Sequence, residues 1–374
     1  MQRQISEPLP SPLGGEKAGQ RQFNFIIALR ALAALVIVWH HFALYPPLSE
    51  WARPLLGELL LWFEVHARST QVFFVLGGFV LAHSLAAHRW RAGGLFLFLL
   101  RRYCRLGLPY LMVIALILPI YAFARNWVPD SVLGAAVSWP QLIAHLFFLQ
   151  DILGYEALSA GLWFVGINIQ LCILFAILLC LRDCVLWRGV DVLGVLGWSL
   201  AVFSLFYANL NAGWDVWGIY FFPYFFMGVV VWRSKNGTQT LEFWLYQALF
   251  LIAMAFEWRW RLSIAMLVGY LLLWSLKSGW IVRWPRHALI LWLGKISYSL
   301  FLVHFPVLIL VAALWAHLGW TSPLLASLGL LLAFVASIAA ASGFYRWIEQ
   351  PSAWVSHRIA RPGGLRLSAF AGGK

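Results

Sequence analysis

The chain has 374 residues, of which 62% are hydrophobic and only 11% charged, with a mean hydropathy of +0.80. Globular domains are closer to half apolar and a quarter charged, so a soluble enzyme, a disordered chain and a collagen-like chain are excluded. Lys and Arg number 27 against 14 Asp and Glu, a formal charge of +13 that in a soluble protein would point to nucleic acid. Here membrane topology explains the excess, and no nucleic-acid partner is expected. Apolar runs such as 106–124, 161–181 and 324–344 recur at the length of membrane-crossing helices and lack the alternation of barrel strands. The sequence predicts an all-α, polytopic integral membrane bundle.

In chain order, residues 1–21, with Pro8, Ser11, Pro12, Gly14 and Gly15, form a polar tail, and no signal peptide precedes the first span. Hydropathy places ten spans near 23–45, 70–87, 106–123, 160–181, 190–209, 216–232, 241–257, 262–278, 288–316 and 323–346. They make a membrane domain over 22–351, followed by a basic tail at 352–374. Residues 124–159 are the longest outward connection. Its stretch Gln141–Gln150 is too short to cross, and is expected to be re-entrant or interfacial.

With the N-terminus inside, the inward segments carry most of the cations, among them Arg89, Arg91, Arg101, Arg102, Arg105, Arg188, Arg233 and Arg283. The outward loops hold Arg53, Arg68, Arg125, Arg259 and Arg261. The positive-inside rule therefore sets both termini in the cytoplasm. Cys104, Cys172, Cys180 and Cys184 then fall on the cytoplasmic half, where thiols stay reduced, so no disulfide is expected. No His or carboxylate cluster accompanies them, and no metal site is expected. His83, His88, His145 and His287 read as ordinary interface residues.

An ionisable side chain inside a bilayer costs about 3 kcal/mol unless it is paired or wetted, so function is sought there. Arg30 lies two turns into the first span and His41 follows eleven residues later. Helical geometry leaves the two within about 20° of one face and roughly 16 Å apart, with His40 turned about 100° away. Two arrangements fit. Either the stripe faces one wet chamber, or Arg30 snorkels to the inner headgroups and His41 to the outer interface. In the ninth span Ser297 and His304 share a face, with Lys295 nearly opposite His304. His304 either lines a cavity or satisfies a backbone carbonyl.

From this point the chain resembles a known family. Arg30, ten residues, then His41 matches the first helix of the membrane acyltransferase-3 family. Phe73-Phe74-Val75-Leu76-Gly77-Gly78-Phe79 is similar to the family's FFVLSGF, and Arg101-Arg102-Tyr103-Cys104-Arg105 before Pro109-Tyr110 to its RRxxR segment. Leu162-Trp163 through Gln170 resembles LWSLxxExQ. Leu293 through Leu300 and on to His304-Phe305-Pro306 resembles LGKISYSLYLWHFP, and Tyr345 through Pro351 resembles YRxIExP. Three positions depart from the pattern. Gln71 stands where the family often has an acid, Gly77 replaces a serine and Asn168 occupies a glutamate position.

The resemblance implies a bacterial inner-membrane O-acyltransferase that moves an acyl group, acetyl foremost, from acetyl-CoA or another acyl-CoA to a hydroxyl of an envelope or exported carbohydrate or glycolipid. It implies His41 as general base, a role that suits an imidazole whose ordinary pKa of ~6.5 leaves it neutral at pH 7. Arg30 would position or stabilise charge. Arg101, Arg102 and Arg105 would attract the donor's phosphates or lipid headgroups. Gln71, Asn168, Ser297, Tyr298 and His304 are expected to line the cavity, and Tyr345 with Glu349 to form a latch or a donor contact. Some relatives carry an additional C-terminal hydrolase-like domain, and none is expected here. The rival readings are a transporter or flippase without acyl chemistry, and a non-catalytic scaffold disabled by the three departures. Oligomeric state is not read from the sequence.

Overall fold

Apolar segments in hydrocarbon have no water to satisfy their N–H and C=O groups, which leaves the helix as the economical backbone for each run. The computed structural model describes residues 23–85, 92–184, 190–235 and 239–359, and among these every regular element is helical. Among the described residues eight helical segments are long and apolar enough to cross a membrane, and two more apolar helices are shorter. Each of the ten expected spans has a helix at its position.

The first is α1, Asn24–Leu44. It is followed by α2, Leu48–His66, where the sequence predicts an outward loop. Glu50, Arg53, Pro54, Glu58 and Glu64 disguise this helix. Its buried face of Leu48, Ala52 and Leu60 packs toward α1 and the last long helix. The helix kinks at Leu56, just after Pro54, and Arg53 reaches Glu64 at 2.8 Å. After α3, Thr70–Leu85, comes a rod longer than expected. It consists of α4, Ala92–Arg102, a π-helical turn at Tyr103–Gly107, and α5, Leu108–Ala124. Arg101, Arg102 and Arg105 thus sit within a continuous helix, beyond the expected start of the span at 106.

Next come the short α6, Asp130–Leu133, and α7, Trp139–Leu146, the latter started by a capping box between Ser138 and Gln141. Then follow α8, Leu162–Cys184, α9, Val192–Phe206, α10, Gly218–Arg233, α11, Thr240–Phe256, α12, Trp260–Ser278, and the single turn α13, Trp280–Arg283. The expected ninth span is broken at Ile296 into α14, Ala288–Lys295, and α15, Ser297–His317. Ser297 Oγ donates to the Gly294 carbonyl at 2.8 Å and so satisfies an acceptor at that break. The last long helix, α16, Pro323–Phe344, continues through a π-helical turn at Tyr345–Glu349 into α17, Gln350–Arg358, past the expected end at 346. Residues 1–21 and 360–374, His88, Arg89, Arg91 and Arg188, and the side chain of Cys184 lie outside the described residues. Among the described residues Cys104, Cys172 and Cys180 form no disulfide.

Two hydrophobic cores meet along α1. Its Phe25, Ile26, Ala33 and Ile37 join a core built mainly on α3, α8, α10, α11 and α12. Ala34, Val38, Phe42 and Ala43 join another built on α2, α5, α15 and α16. Within the first core α3 and α10 cross in contact. A Cβ on Gly78 would run into the carbonyl of Phe225, and one on Gly228 into that of Val75, so glycine at both places lets the backbones touch.

Candidate active site

At the C-terminal end of α1, where the two cores meet, lies a cleft of about 520 Å³. That volume suits a small ligand. Ile37, His40, His41 and Tyr45 form one wall, and Arg68, Thr70 and Gln71 at the start of α3 another. Asp151, Ala157, Ser159 and Ala160 close a third side, with Tyr121, Trp163, Phe221, Arg261 and Phe305 completing the lining. Much of the third side is irregular backbone. Such backbone is tolerated deep in a bundle only where protein or a wet cavity satisfies it.

His41 reaches across the seam to His304, with Nδ1 and Nε2 2.7 Å apart. The proton positions follow from the partners. His304 Nδ1 lies 3.1 Å from the Leu300 carbonyl, which can only accept, so that nitrogen carries hydrogen. In a neutral ring His304 Nε2 is then the acceptor, His41 Nδ1 the donor, and His41 Nε2 the lone pair left for the cleft. The two fates foreseen for His304 are combined, since one nitrogen satisfies a carbonyl and the other faces His41. No carboxylate bonds to either ring among the described residues. His40 also stands in the cleft wall, its Nδ1 donating to the Phe63 carbonyl at 3.0 Å.

The stretch around Gln141–Gln150 returns into the bundle alongside α5. Its His145 meets Tyr110, fourteen residues and so roughly 21 Å of helix from the end of α5 at Ala124. His145 is fully buried and is no interface residue, which corrects the sequence expectation. His145 Nε2 takes the Leu158 N–H at 3.4 Å and the ring also has the Glu156 backbone as a partner, while its Nδ1 lies 2.6 Å from Tyr110 Oη. Tyr110 donates to Gln150 Oε1 at 3.3 Å, and Gln150 Nε2 donates to Asp151 Oδ2 at 2.7 Å. Burial pushes the His145 imidazole down to about 4. Burial, opposed by the Gln150 amide and reinforced by Asp215, pushes the Asp151 carboxyl up to about 6. At neutral pH Asp151 is still an anion, facing the cleft with one side-chain donor and no cation bonded to it.

Arg30 is outside this cleft. The expected single chamber for Arg30 and His41 is therefore corrected to two polar groups. The stripe between them contains Ala34, which is fully buried, and the cleft reaches down only to Ile37. Arg30 instead shares its surroundings with Glu349, Tyr345 and Arg105. Glu349 accepts from Ser299 Oγ at 2.6 Å, and Tyr298 Oη donates to the Leu106 carbonyl at 2.8 Å. Ser299 and His304 are five residues apart on α15, roughly 7.5 Å of rise. Phe301 stands between them and meets Phe164 and Phe73 at ring centroid distances of 5.2 and 6.1 Å. Of the three arginines expected to act together, Arg105 joins the inner group with Arg30 and Glu349. Arg101 is engaged with α17, donating to the Ser356 carbonyl at 3.2 Å, and Arg102 lies over the Phe98 ring.

A family profile described as an acyltransferase domain matches residues 23–345. The chain belongs to the acyltransferase-3 family. Comparison with curated proteins and with solved structures returns no match. As a member of the family the protein is a multi-pass membrane acyltransferase, with an acyl donor and an acceptor as its substrates. Among the described residues no cluster of three or more His, Cys, Asp or Glu is placed to hold a metal ion.

The acyltransferase-3 blocks fall on the two polar groups and the crossings that hold them. The Phe73–Phe79 block lies on α3, where Gly78 makes the contact with α10. Two of the three departures face each other. A Cβ at Gly77 would stand 4.0 Å from Asn168 Oδ1, so the hydroxyl and the carboxylate missing from the family pattern are missing from one spot. The third, Gln71, is 1% exposed and in the cleft wall, and its Oε1 has no hydrogen-bond partner. Of the expected lining residues only Gln71 borders the cleft. Ser297 serves the break at Ile296, Tyr298 belongs with the inner group, Asn168 faces Gly77, and His304 stands behind His41. Sequence reasoning missed Asp151, Tyr110 and His145 as site residues. The available signal was Gln150-Asp151, two polar residues ending an apolar stretch too short to cross.

Proposed function

We propose that this acyltransferase carries an acyl group, acetyl in the simplest case, from a coenzyme A thioester to a hydroxyl of an envelope or exported carbohydrate. His41 is the general base. The observation that carries this reading is the oriented pair, in which the Leu300 carbonyl fixes the His304 tautomer and leaves the Nε2 lone pair of His41 toward the cleft. In the reaction the acceptor hydroxyl gives its proton to His41 Nε2 while its oxygen attacks the thioester carbonyl. Collapse of the tetrahedral species breaks the carbon–sulfur bond, and the departing thiolate takes the same proton, restoring neutral His41. His304 accepts from His41 Nδ1 throughout and supports the transient imidazolium.

The inner group suits the donor. Arg30 and Arg105 with Glu349 as nearby counter-charge leave a cationic excess that would meet phosphates, and Arg102 lies in the same electrostatic neighbourhood. The donor would enter from the cytoplasmic side of a bacterial inner membrane, with both termini cytoplasmic. The acceptor would take the His41 cleft. The deciding experiment supplies purified protein with radiolabelled acetyl-CoA and candidate glycans, comparing wild type with His41→Ala. Transfer undiminished by that substitution would refute the base assignment. Movement of glycan across vesicles without acyl transfer would favour the transporter reading.

A further inference from the structure

The re-entrant stretch holds a carboxylate at the cleft by a chain of hydrogen bonds. The chain starts at the backbone N–H of Leu158, passes through His145, Tyr110 and Gln150, and ends on one oxygen of Asp151. The remaining acceptor capacity of that carboxylate lies in the cleft wall. Arg68 and Arg261 border the same cleft, yet among the described residues no ion pair includes Asp151. A half-buried anion with one side-chain donor and no bonded cation calls for donors from a ligand. Two neighbouring wall residues, Gln71 and Ser159, keep oxygens without hydrogen-bond partners. The ring faces of Trp163 and Tyr121 complete the surroundings.

We propose that Asp151 is the acceptor-positioning carboxylate of the cleft, aimed by the His145–Tyr110–Gln150 chain, and that it selects acceptors with a hydroxyl donor beside the one that is acylated. The proposal rests on the transferase reading above. A thioester donor carries phosphates that this carboxylate would repel, which places Asp151 on the acceptor side. Its part is to bind and orient. It takes no proton from the reacting hydroxyl, which belongs to His41. A hydrogen bond from a neutral hydroxyl to a charged group contributes roughly tenfold or more in affinity, and a single rigid partner makes that gain depend on where the second hydroxyl stands.

The test uses the full-length protein in nanodiscs with radiolabelled acetyl-CoA and a panel of methyl gluco-, galacto- and mannopyranosides together with their monodeoxy analogues. For the wild type, one deoxy position other than the acylated one is expected to raise the acceptor KM about tenfold. In Asp151→Asn the parent acceptor's KM rises about tenfold, kcat at saturating acceptor moves less than threefold, and the deoxy penalty disappears. Tyr110→Phe removes the O–H that holds Gln150 and gives a smaller KM increase of the same kind, which keeps the test open if Asp151→Asn fails to fold. Transfer by the wild type together with an unchanged KM and an unchanged deoxy penalty in the variants overturns the role of Asp151 and leaves the transferase reading standing. Transfer to no member of the panel overturns the reading on which it rests.

Discussion

The imidazoles of His41 and His304 lie with their planes 8° apart and their ring centroids 5.0 Å apart. His304 sets which nitrogen of His41 is free. His304→Ala strands a buried N–H and releases the tautomer, so the acyl-transfer rate is expected to fall about 100-fold, against 10²–10⁴-fold for His41→Ala. His304→Gln can still accept from His41 Nδ1 through its carbonyl oxygen and is expected to lose about tenfold. Initial rates with radiolabelled donor check the order, and equal rates for the Ala and Gln variants would remove His304 from the relay.

The cationic group around Glu349 makes a second prediction. Glu349 faces both Arg30 and Arg105, so Glu349→Gln leaves those guanidiniums facing each other without their nearest counter-charge. The single variant is expected to melt at lower temperature. Adding Arg105→Gln is expected to recover part of the loss, with a coupling of about 0.5–3 kcal/mol between the sites. Additive effects in thermal melts of the detergent-solubilised protein would mean the charges do not sense each other.

The pH response follows from two groups on the re-entrant chain, with opposite signs. The Asp151 carboxyl stands at about 6 against an ordinary 3.8, so the folded state holds its proton more tightly. Its contribution to stability is complete below 3.8 and lost as pH rises through about 6. The His145 imidazole stands at about 4 against an ordinary 6.5, so its contribution is complete above 6.5 and lost as pH falls toward 4. Asp151→Asn is therefore expected to raise the melting temperature more at pH 7.5 than at pH 5. An equal gain at both pH values would show that the carboxyl titrates as in water.

The adjacent glycines Gly77 and Gly78 of α3 are expected to differ sharply. Gly78→Ala pushes a methyl into the Phe225 carbonyl and should cost about 1–3 kcal/mol or prevent assembly of the bundle. Gly77→Ser meets nothing nearer than Asn168 Oδ1 at 4.0 Å and should melt within about 1 kcal/mol of the wild type or above it. Melting curves that rank the two the other way would contradict the crossing of α3 with α10.

Much of the bundle was legible because apolar run length and the spacing of Arg30 and His41 are local properties. What eluded sequence reasoning depends on other parts of the chain. The helix α2 hides its buried face of Leu48, Ala52 and Leu60 among five charged or proline positions. The break at Ile296 interrupts a run that remains apolar throughout. Helical phase sets Arg30 and His41 on one stripe and carries no information about the contact of Phe301 on α15 with Phe164 on α8. His145 looked like a lone histidine on a short amphipathic helix, and only its partner Tyr110, thirty-five residues away, gives it a role.

The irregular stretch from Phe147 to Gly161 borders the cleft proposed for the acceptor, whereas Arg30, Arg105 and Glu349, proposed for the donor, sit within helical segments. The two halves of the specificity are thereby free to diverge at different rates. Grafting this cassette between homologues should transplant sugar preference while leaving the thioester chemistry as it was.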